Sequence, residues 1–387
     1  MLRSSFAALC MAAVVVVPAT AAAESIVYVR SGDVYLTAPQ GTLRITTDGG
    51  YESPSQSDDG TIVAVRQVKV ERDGTERDVR LIHRFDRTGR LLNAPTEAVP
   101  VNNSRYVGPL GMSVSFDGTI AAYHYFNYTG LVPRQELPRL SMAYTDRDTP
   151  REEIVEAGWY LNPTWVAPRT VAIFGTGGFI PNVQLYTVGE GEFVDWFSDP
   201  NGVTLGSGDL SRDGARFAAT AEGASEIRLY SMAAPPPAMP TPTCTISKPG
   251  ATYQSPSWSP DSKELAWSEE DGLHIAAIPS ITDCAAIQEA LAAPGAESPD
   301  FGPAGLPQAS APAVKVSARA VFATISCARA CKLSAKLVKA GRTVSTARKR
   351  LTGAGTARLR LAKNGRTGKA TLSVTVNGKT TKRAVRL

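Results

Sequence analysis

Short runs of apolar residues recur along most of the chain, and each follows a phrase rich in serine, proline and aspartate. The runs lie at 62–65, 120–123, 171–174, 217–219 and 265–267. The phrase is clearest at 255–262, which reads Ser-Pro-Ser-Trp-Ser-Pro-Asp-Ser, and it occurs six times. The position that Trp258 takes in it, here named the Trp position, falls at residues 56, 114, 165, 210, 258 and 301. A period of roughly 40–50 residues filled with short strands is typical of a β-propeller.

The first and last repeats each lack what the other has. The sixth phrase, at 298–303, is followed by no apolar run, and the apolar run at 26–29 has no phrase before it. The repeats match only if the segment around 299–301 pairs with the blade that begins at 26–47. The predicted fold class is therefore all-β, a six-bladed β-propeller closed by pairing of its N- and C-terminal strands, which leaves no open sheet edge.

Each blade is predicted to begin with its innermost strand, which carries the phrase. The side chain at the Trp position would then pack between neighbouring blades. An Asp-Gly pair follows in several copies and predicts a tight turn into the second strand, because glycine accepts a positive φ and aspartate bonds the turn backbone. Third strands, for example at 33–36 and 227–230, alternate apolar and polar residues as half-buried strands do.

The segment 32–55 contains Gly-Asp-Val-Tyr-Leu followed by Arg-Ile-Thr-Thr-Asp-Gly-Gly-Tyr-Glu-Ser-Pro-Ser. Together with the copy at 255–267, it resembles the TolB-type propeller repeat, a WD-repeat-like family. The resemblance covers about residues 25–304. It implies the fold closely and the function only broadly, since such blades occur in periplasmic binding proteins and as gating domains of prolyl-oligopeptidase-like enzymes.

Residues 1–23 are predicted to be a secretory signal peptide. Arg3 gives the positive start, an apolar run at 6–17 follows, and small residues precede a cleavage site after Ala23. The run is shorter than the about 20 residues that cross a bilayer, and no later segment is long enough, so no transmembrane span is expected. The protein is expected to be secreted or periplasmic and associated with the cell envelope.

Four cysteines remain after the signal peptide, an even number in an oxidising compartment. Cys327 and Cys331 are close in sequence, and Cys244 and Cys284 each follow the third strand of a predicted blade. We predict the disulfides Cys327–Cys331 and Cys244–Cys284. The alternative is a metal or redox site, which is disfavoured because the spacing does not suit zinc and the histidines lie in separate blades.

The net charge of +5 is the sum of two opposite halves. The segment 306–387 holds 19 Lys and Arg and no Asp or Glu, which leaves 22 basic and 36 acidic residues in the rest of the chain. In this basic segment apolar and polar residues alternate, and the Asn-Gly pairs at 364–365 and 377–378 predict hairpins. We therefore predict a small β-sandwich that resembles the Ig-like modules of secreted bacterial proteins.

The predicted domain organisation follows from these patterns. A linker composition marks the boundary between the acidic and the basic halves. The domains are a signal peptide at 1–23, a propeller at 24–304, a linker at 305–314 and a basic Ig-like β-sandwich at 315–387.

The basic segment has three interpretations. It is a solvated surface, or it contacts the acidic propeller, or it attaches to an anionic polymer of the envelope such as cell-wall polysaccharide, lipid headgroups or extracellular nucleic acid. Phe322 is its only aromatic residue. That scarcity argues against base stacking, and so against sequence-specific binding of nucleic acid.

The sequence contains no catalytic or phosphate-binding motif, and we predict no catalytic residue, no metal and no cofactor. The best candidate site is the rim of the propeller channel, where the connectors into the inner strands meet and four of the six carry an aromatic residue. The predicted binding residues are Tyr51, Glu52, Arg105, Tyr106, Trp159, Tyr160, Asn162, Tyr253 and Gln254. Tyrosine and tryptophan favour recognition surfaces, but repeat position alone would also place them as local packing at a blade seam.

The predicted function is a non-catalytic, secreted or periplasmic propeller that binds a protein or peptide at its rim, with a basic domain that attaches to anionic envelope polymers. The alternative is an extracellular hydrolase of the six-bladed lactonase type with its site on the channel. Three or more Asp, Glu or His side chains that converge at the channel axis would favour the enzyme.

Overall fold

A computed structural model describes residues 24–72, 74–97, 106–128, 136–144, 153–155, 160–175, 182–221, 223–307, 309–328 and 330–387. The predicted signal peptide lies outside the described residues. Almost all of the regular structure in these ranges is β-strand, and the helix they contain is one short 3₁₀ turn, Cys284–Ala286. No helix in the described part of the chain has the length and apolar character that a membrane span needs.

The strands of residues 25–302 form six four-stranded antiparallel sheets, here called blades one to six. Blade two contains β4 (Tyr51–Gln56), β5 (Ile62–Arg72), β6 (Thr75–Phe85) and β7 (Thr96–Glu97). Blade three contains β8 (Tyr106–Val114), β9 (Ile120–Tyr128), β10 (Glu136–Tyr144) and β11 (Glu153–Val155). Blade four contains β12 (Tyr160–Ala167), β13 (Thr170–Gly175), β14 (Val183–Thr187) and β15 (Phe193–Phe197). Strands within each blade follow chain order from the inside outwards.

The last two consecutive blades have the same arrangement. Blade five contains β16 (Leu205–Leu210), β17 (Arg216–Ala221), β18 (Glu226–Ser231) and β19 (Thr241–Ile246). Blade six contains β20 (Gln254–Trp258), β21 (Glu264–Glu269), β22 (Gly272–Ala277) and β23 (Glu289–Pro294).

Blade one closes the ring, as the sequence predicts. It contains β1 (Ser25–Arg30), β2 (Asp33–Ala38) and β3 (Gly41–Arg44), and its inner strand is β24 (Ala296–Gly302) from the other end of the propeller. Ile26 pairs with Phe301 across this junction. Each inner strand also lies against the inner strand of the next blade, and β24 lies between β20 and β4, so the ring is continuous.

The proline of the phrase and the residue before it, which is serine in three blades and asparagine in blade four, form a bulge in the inner strand. Ser53, Asn162, Ser255 and Ser298 have φ values of 46°, 48°, 50° and 53°, and the strand register shifts at each of them. The proline that follows has no backbone N–H to leave unpaired at such a bulge. The phrase therefore encodes a bend at the start of the inner strand.

The end of the phrase forms a hydrogen-bonded turn. In blade six, Ser259 Oγ donates to Asp261 Oδ1 (2.8 Å) and accepts the backbone N–H of Glu264 (2.9 Å). The same serine–aspartate pair joins the first two strands of blade two (Ser57 and Asp59, 2.5 Å), blade three (Ser115 and Asp117, 2.6 Å) and blade five (Ser211 and Asp213, 2.6 Å).

Side chains at the Trp position pack between blades. Trp165 is 2% exposed, lies among the side chains of blades three and four, and donates its indole N–H to the Ser113 carbonyl (3.0 Å). Trp258 is equally buried and packs with Ala218 and Leu229 of blade five. The predicted role of this position is confirmed in these two blades.

Residues 313–386 form a β-sandwich of seven strands. The strands are β25 (Ala313–Val316), β26 (Ala320–Cys327), β27 (Cys331–Lys339), β28 (Arg342–Leu351), β29 (Gly355–Ala362), β30 (Lys369–Val376) and β31 (Lys379–Arg386). One sheet has the order β25-β26-β29 and the other β28-β27-β30-β31. Their facing side chains form one apolar core that includes Val321, Leu337 and Leu359.

Both predicted disulfides are present. Cys327 and Cys331 link the two sheets of the sandwich where β26 passes into β27. Cys244 and Cys284 join β19 of blade five to the 3₁₀ turn of blade six. Two structural cross-links of this kind are typical of a chain that folds in an oxidising compartment.

Candidate functional site

The central channel of the propeller is a cavity of about 630 Å³, and the inner strands of all six blades line it. One position of the phrase, directly before the Trp position, faces this cavity in every blade, and we name it the acceptor position. Its residues are Ser55, Ser113, Thr164, Asp209, Ser257 and Asp300. All six are polar, so the channel wall consists of four hydroxyls and two carboxyls at this level.

The hydroxyls of the acceptor position tie neighbouring blades together. Ser55 Oγ of blade two accepts the backbone N–H of Val114 in blade three (3.0 Å). Ser257 Oγ of blade six accepts the N–H of Phe301 in blade one, also at 3.0 Å. In both cases the donor is the Trp position of the next blade, which would otherwise be a buried N–H without a partner.

The two carboxyls make the same bond. Asp209 Oδ2 of blade five accepts the N–H of Trp258 (2.7 Å), and Asp300 Oδ2 of blade one accepts the N–H of Gln56 (2.7 Å). Asp300 also accepts the hydroxyl of Ser55 (2.7 Å). Because Ser55 and Ser257 accept the equivalent N–H with an uncharged hydroxyl, that bond by itself does not require a carboxyl.

Ionisation of these carboxyls is opposed by their surroundings. Burial, and to a smaller extent the neighbouring Asp300, raises the pKa of Asp209 to about 7, although the Trp258 N–H acts in the other direction. Burial also raises the pKa of Asp300 against the hydrogen bonds from Ser55 and Gln56. Both residues nevertheless keep partial exposure to the channel space. A cation in the channel would therefore favour the ionised form of these carboxyls.

An ion pair bridges one end of the channel. Arg212 Nη2 lies 2.9 Å from Asp58 Oδ1, and these residues belong to the turns of blades five and two, on opposite sides of the ring. The guanidinium also lies 4.1 Å from the ring centre of Phe116 in blade three. This end is thus partly covered by the ion pair. The opposite end, where the inner strands begin, is here named the mouth.

The mouth is lined by polar groups from the bulges. Asn162 Nδ2 donates to the Gly206 carbonyl (2.8 Å), which links blades four and five at the mouth. Ser53, Gln254 and Ser298 line the same cavity, and Gln254 is exposed. Two residues predicted for the rim, Asn162 and Gln254, are therefore part of the channel lining.

The tyrosines predicted for the rim are placed differently. Tyr51 is 5% exposed, with its ring edge-on to His83 and Phe85, and Tyr253 is 1% exposed and lies beside Trp267. Both rings are buried and make the local packing contacts that repeat position also predicts, and Tyr253 still borders the channel cavity.

The remaining predicted rim residues do not form one surface in the described chain. Glu52 pairs with Arg80 of its own blade (2.8 Å). Arg105 and Trp159 lie outside the described residues. Tyr106 and Tyr160 begin β8 and β12, and the structure describes only their backbone.

Asp209 and Asp300 were not predicted from the sequence. A signal for them exists in the alignment of the six phrases on the Trp position. The residue before it is Ser or Thr in four copies and Asp in two. At this channel-facing position, an acidic residue in place of a hydroxyl residue gives two blades a negative charge that the other four lack.

No family model matches the chain, and no curated protein matches its sequence. Several solved structures are similar in fold. A protein described as TolB from Agrobacterium tumefaciens has 10% identity and a TM-score of 0.40, over 88% of this chain and 98% of that one. A periplasmic gluconolactonase from Pseudomonas aeruginosa has 14% identity and a TM-score of 0.43, over 87% and 99%. An oligogalacturonate lyase from Vibrio parahaemolyticus has 11% identity and a TM-score of 0.43, over 66% and 70%. The strand pairing described above shows the propeller arrangement directly.

Proposed function

We propose that this protein is a secreted or periplasmic binding protein whose channel takes a cationic group of a peptide or protein partner through the mouth. The observation that carries the proposal is the pair of carboxyls at the acceptor position. Ser55 and Ser257 make the same cross-blade bond as Asp209 and Asp300. We therefore assign the added negative charge to recognition of a partner. An ammonium or guanidinium group of that partner would pair with the carboxyls.

The charges around the channel support a cationic ligand. Arg212 is the cation that faces Asp209 and Asp300 in the described lining, and its Nη2 is already paired with Asp58. A second cation would balance the carboxyls that this single guanidinium leaves in excess. The cavity of about 630 Å³ is large enough for a few residues of an extended peptide.

The experiment compares peptide selection by the wild type and by the double variant Asp209→Ser, Asp300→Ser. Serine keeps an acceptor for the N–H groups of Trp258 and Gln56, so the ring should stay intact while both charges, and the Asp300 acceptor for the Ser55 hydroxyl, are lost. Peptides displayed with free amino termini are selected on the mature protein, 24–387, and measured against both proteins. We expect the selected peptides to carry a cation at the bound end and to bind the variant at least tenfold more weakly.

Two outcomes would contradict the proposal. Selected peptides without a required cation, or peptides that bind the double variant as well as the wild type, would remove the channel carboxyls from recognition. Acetylation of the peptide amine is the matched chemical control, since it removes the charge and keeps the length. Circular dichroism and the unfolding midpoint of the double variant check that the propeller remains folded.

In this proposal the protein is not an enzyme. The alternative, a hydrolase with its site on the channel, has one observation in its favour: a carboxyl with a pKa of about 7 beside a second carboxyl is suited to proton transfer near neutral pH. Against it, the described channel lining brings together two acidic residues and no histidine. If the wild type hydrolyses simple lactones or esters and Asp209→Ser does not, the channel is a catalytic site, and the enzyme hypothesis replaces the binding hypothesis.

We further propose that the basic sandwich holds the propeller near an anionic polymer of the envelope. Seven cations lie on the outer face of its four-stranded sheet, where Lys332 stands directly opposite Arg350 and Lys369 opposite Arg386. The seven are Lys332, Lys336, Arg348, Arg350, Lys369, Lys382 and Arg386. Like charges that face each other across strands destabilise a sheet, so a polyanion would stabilise this face.

A further inference from the structure

Two carboxylates flank a buried histidine in blade six, away from the channel. His274 lies on β22, and Glu269 and Glu289 lie on its two neighbouring strands, β21 and β23. His274 Nδ1 is 3.9 Å from Glu269 Oε1 and 3.7 Å from Glu289 Oε1. One donor atom of each of the three residues lies within 4.8 Å of the others. This is the one group of three in the described residues with the spacing of metal ligands.

The protonation pattern of His274 leaves one nitrogen free for a ligand. Its Nε2 lies 2.7 Å from Asp271 Oδ1, an acceptor, so we assign the ring proton to Nε2. Nδ1 then presents a lone pair, and it has no hydrogen-bond partner among the described residues although the side chain is only 6% exposed. A lone pair that faces two carboxylates is unfavourable without a cation between them.

Metal-binding histidines show this same arrangement, in which one ring nitrogen binds the ion and the other donates to a carboxylate. One imidazole and two carboxylates form a donor set that suits zinc and related divalent ions of the first transition row. The strands fix the three residues on one face of the blade, so the donors are held near each other before any ion arrives.

A lysine pairs with both carboxylates of this group. Lys248 Nζ lies 2.7 Å from Glu269 Oε2 and also contacts Glu289. It does not satisfy His274 Nδ1, and its side chain is 40% exposed, so it can leave for solvent without exposing a buried surface. We infer that Glu269, His274 and Glu289 bind one divalent transition-metal ion of the zinc class, which displaces Lys248.

Zinc titration of the tag-free mature protein tests this site. The chain has three histidines, and the other two, His83 and His124, are buried in other blades. Calorimetry after chelator treatment should show one equivalent of Zn²⁺ bound. Trp267 stacks against His274 with ring centres 6.1 Å apart and donates to Glu269, so its fluorescence should change on binding.

Four variants separate a metal site from a simple ion-pair cluster. Lys248→Ala removes the competing cation and should tighten zinc binding at least tenfold. His274→Gln should abolish binding, while His83→Gln, a change on the third strand of another blade, should leave it intact. Asp271→Asn keeps all three ligands and weakens only the hydrogen bond that His274 Nε2 donates, so zinc binding should fall about 10–100-fold.

The result that overturns the inference is equally definite. If neither the wild type nor Lys248→Ala binds one equivalent of Zn²⁺, or if His274→Gln binds as tightly as the wild type, the cluster is an ion-pair network around a protonated histidine. Glu289→Gln, at a half-exposed position, serves as the second ligand variant where His274→Gln fails to fold.

Discussion

Asp209 and Asp300 connect the stability of the ring with the proposed binding of a cation in the channel. Each carboxyl holds the backbone N–H of the next blade, and each faces the channel. Serine at the same position would serve the blades without the cost of a buried charge. Sites that bind ligands often keep groups that are unfavourable in the free protein, because the ligand satisfies them.

The pH dependence of stability should show this cost directly. The pKa of Asp209 is about 7 in the folded protein against an ordinary value of 3.8. Between these values folded Asp209 holds a proton that the unfolded chain has lost, so the contribution of this residue to stability should fall as the pH rises from about 4 to about 7. Asp209→Ser should remove this contribution and raise the unfolding midpoint relative to the wild type more at pH 8 than at pH 5, by a few degrees.

The control for that measurement is Asp195→Ser, which removes an exposed carboxylate from the outer strand of blade four. Its effect should be small and similar at both pH values. An equal shift for Asp209→Ser at pH 5 and pH 8 would show that the channel carboxyl ionises normally.

The outer face of the four-stranded sheet in the sandwich is a cationic surface built by strand register. Leu333, Ala335 and Leu337 of β27 point into the core, so the residues between them point out. Lys336 is paired with Ser373, and Ser373 is paired with Lys382, which places cations and hydroxyls in one row across the sheet. No acidic residue occurs from 306 onwards to neutralise them.

Binding of the protein to isolated cell envelope should depend on this face and on salt. The triple variant Lys332→Ser, Arg350→Ser, Lys382→Ser should lose most of its binding at low salt, and wild-type binding should fall steeply as salt rises. A triple variant of exposed turn cations, Arg342→Ser, Arg366→Ser and Lys379→Ser, has the same net charge and should lose less. Equal losses in both variants would show that only total charge matters, and salt-independent binding would exclude the electrostatic anchor.

The elements illustrate what the sequence could and could not predict. Strand positions, the Asp-Gly turns and both disulfides follow from repeat alignment and local chemistry, because each depends on residues close in sequence or on one repeated pattern. The buried state of Tyr51 and Tyr253 does not, because it depends on how each ring packs against another strand of its blade, beside His83 for Tyr51 and beside Trp267 for Tyr253. To predict the two channel carboxyls, one would need to know which face of each inner strand points to the channel axis.

At the scale of the whole molecule, the ring depends on a strand contributed from the far end of the propeller. Asp300 of β24 accepts the Gln56 N–H, and Gln56 Nε2 in turn donates to the carbonyls of Ser25 and Asp300 (both 2.8 Å). Ser25 Oγ donates to the Ala304 carbonyl (2.6 Å). Blades one, two and six are therefore joined only when residues 296–304 are in place.

Two truncated chains should behave very differently as a result. A chain of residues 24–307 keeps β24, together with Leu306, which packs on the core of blade one. It should unfold in one cooperative transition, as a separate propeller would. A chain of residues 24–295 loses β24, leaves the edge of β1 open and removes the acceptor for Gln56, so we expect it to aggregate or to lack a cooperative transition. Size-exclusion chromatography and thermal unfolding by circular dichroism distinguish the two. A monomeric, cooperatively unfolding 24–295 would show that the ring is stable without closure, while failure of 24–307 would show that the propeller requires the sandwich.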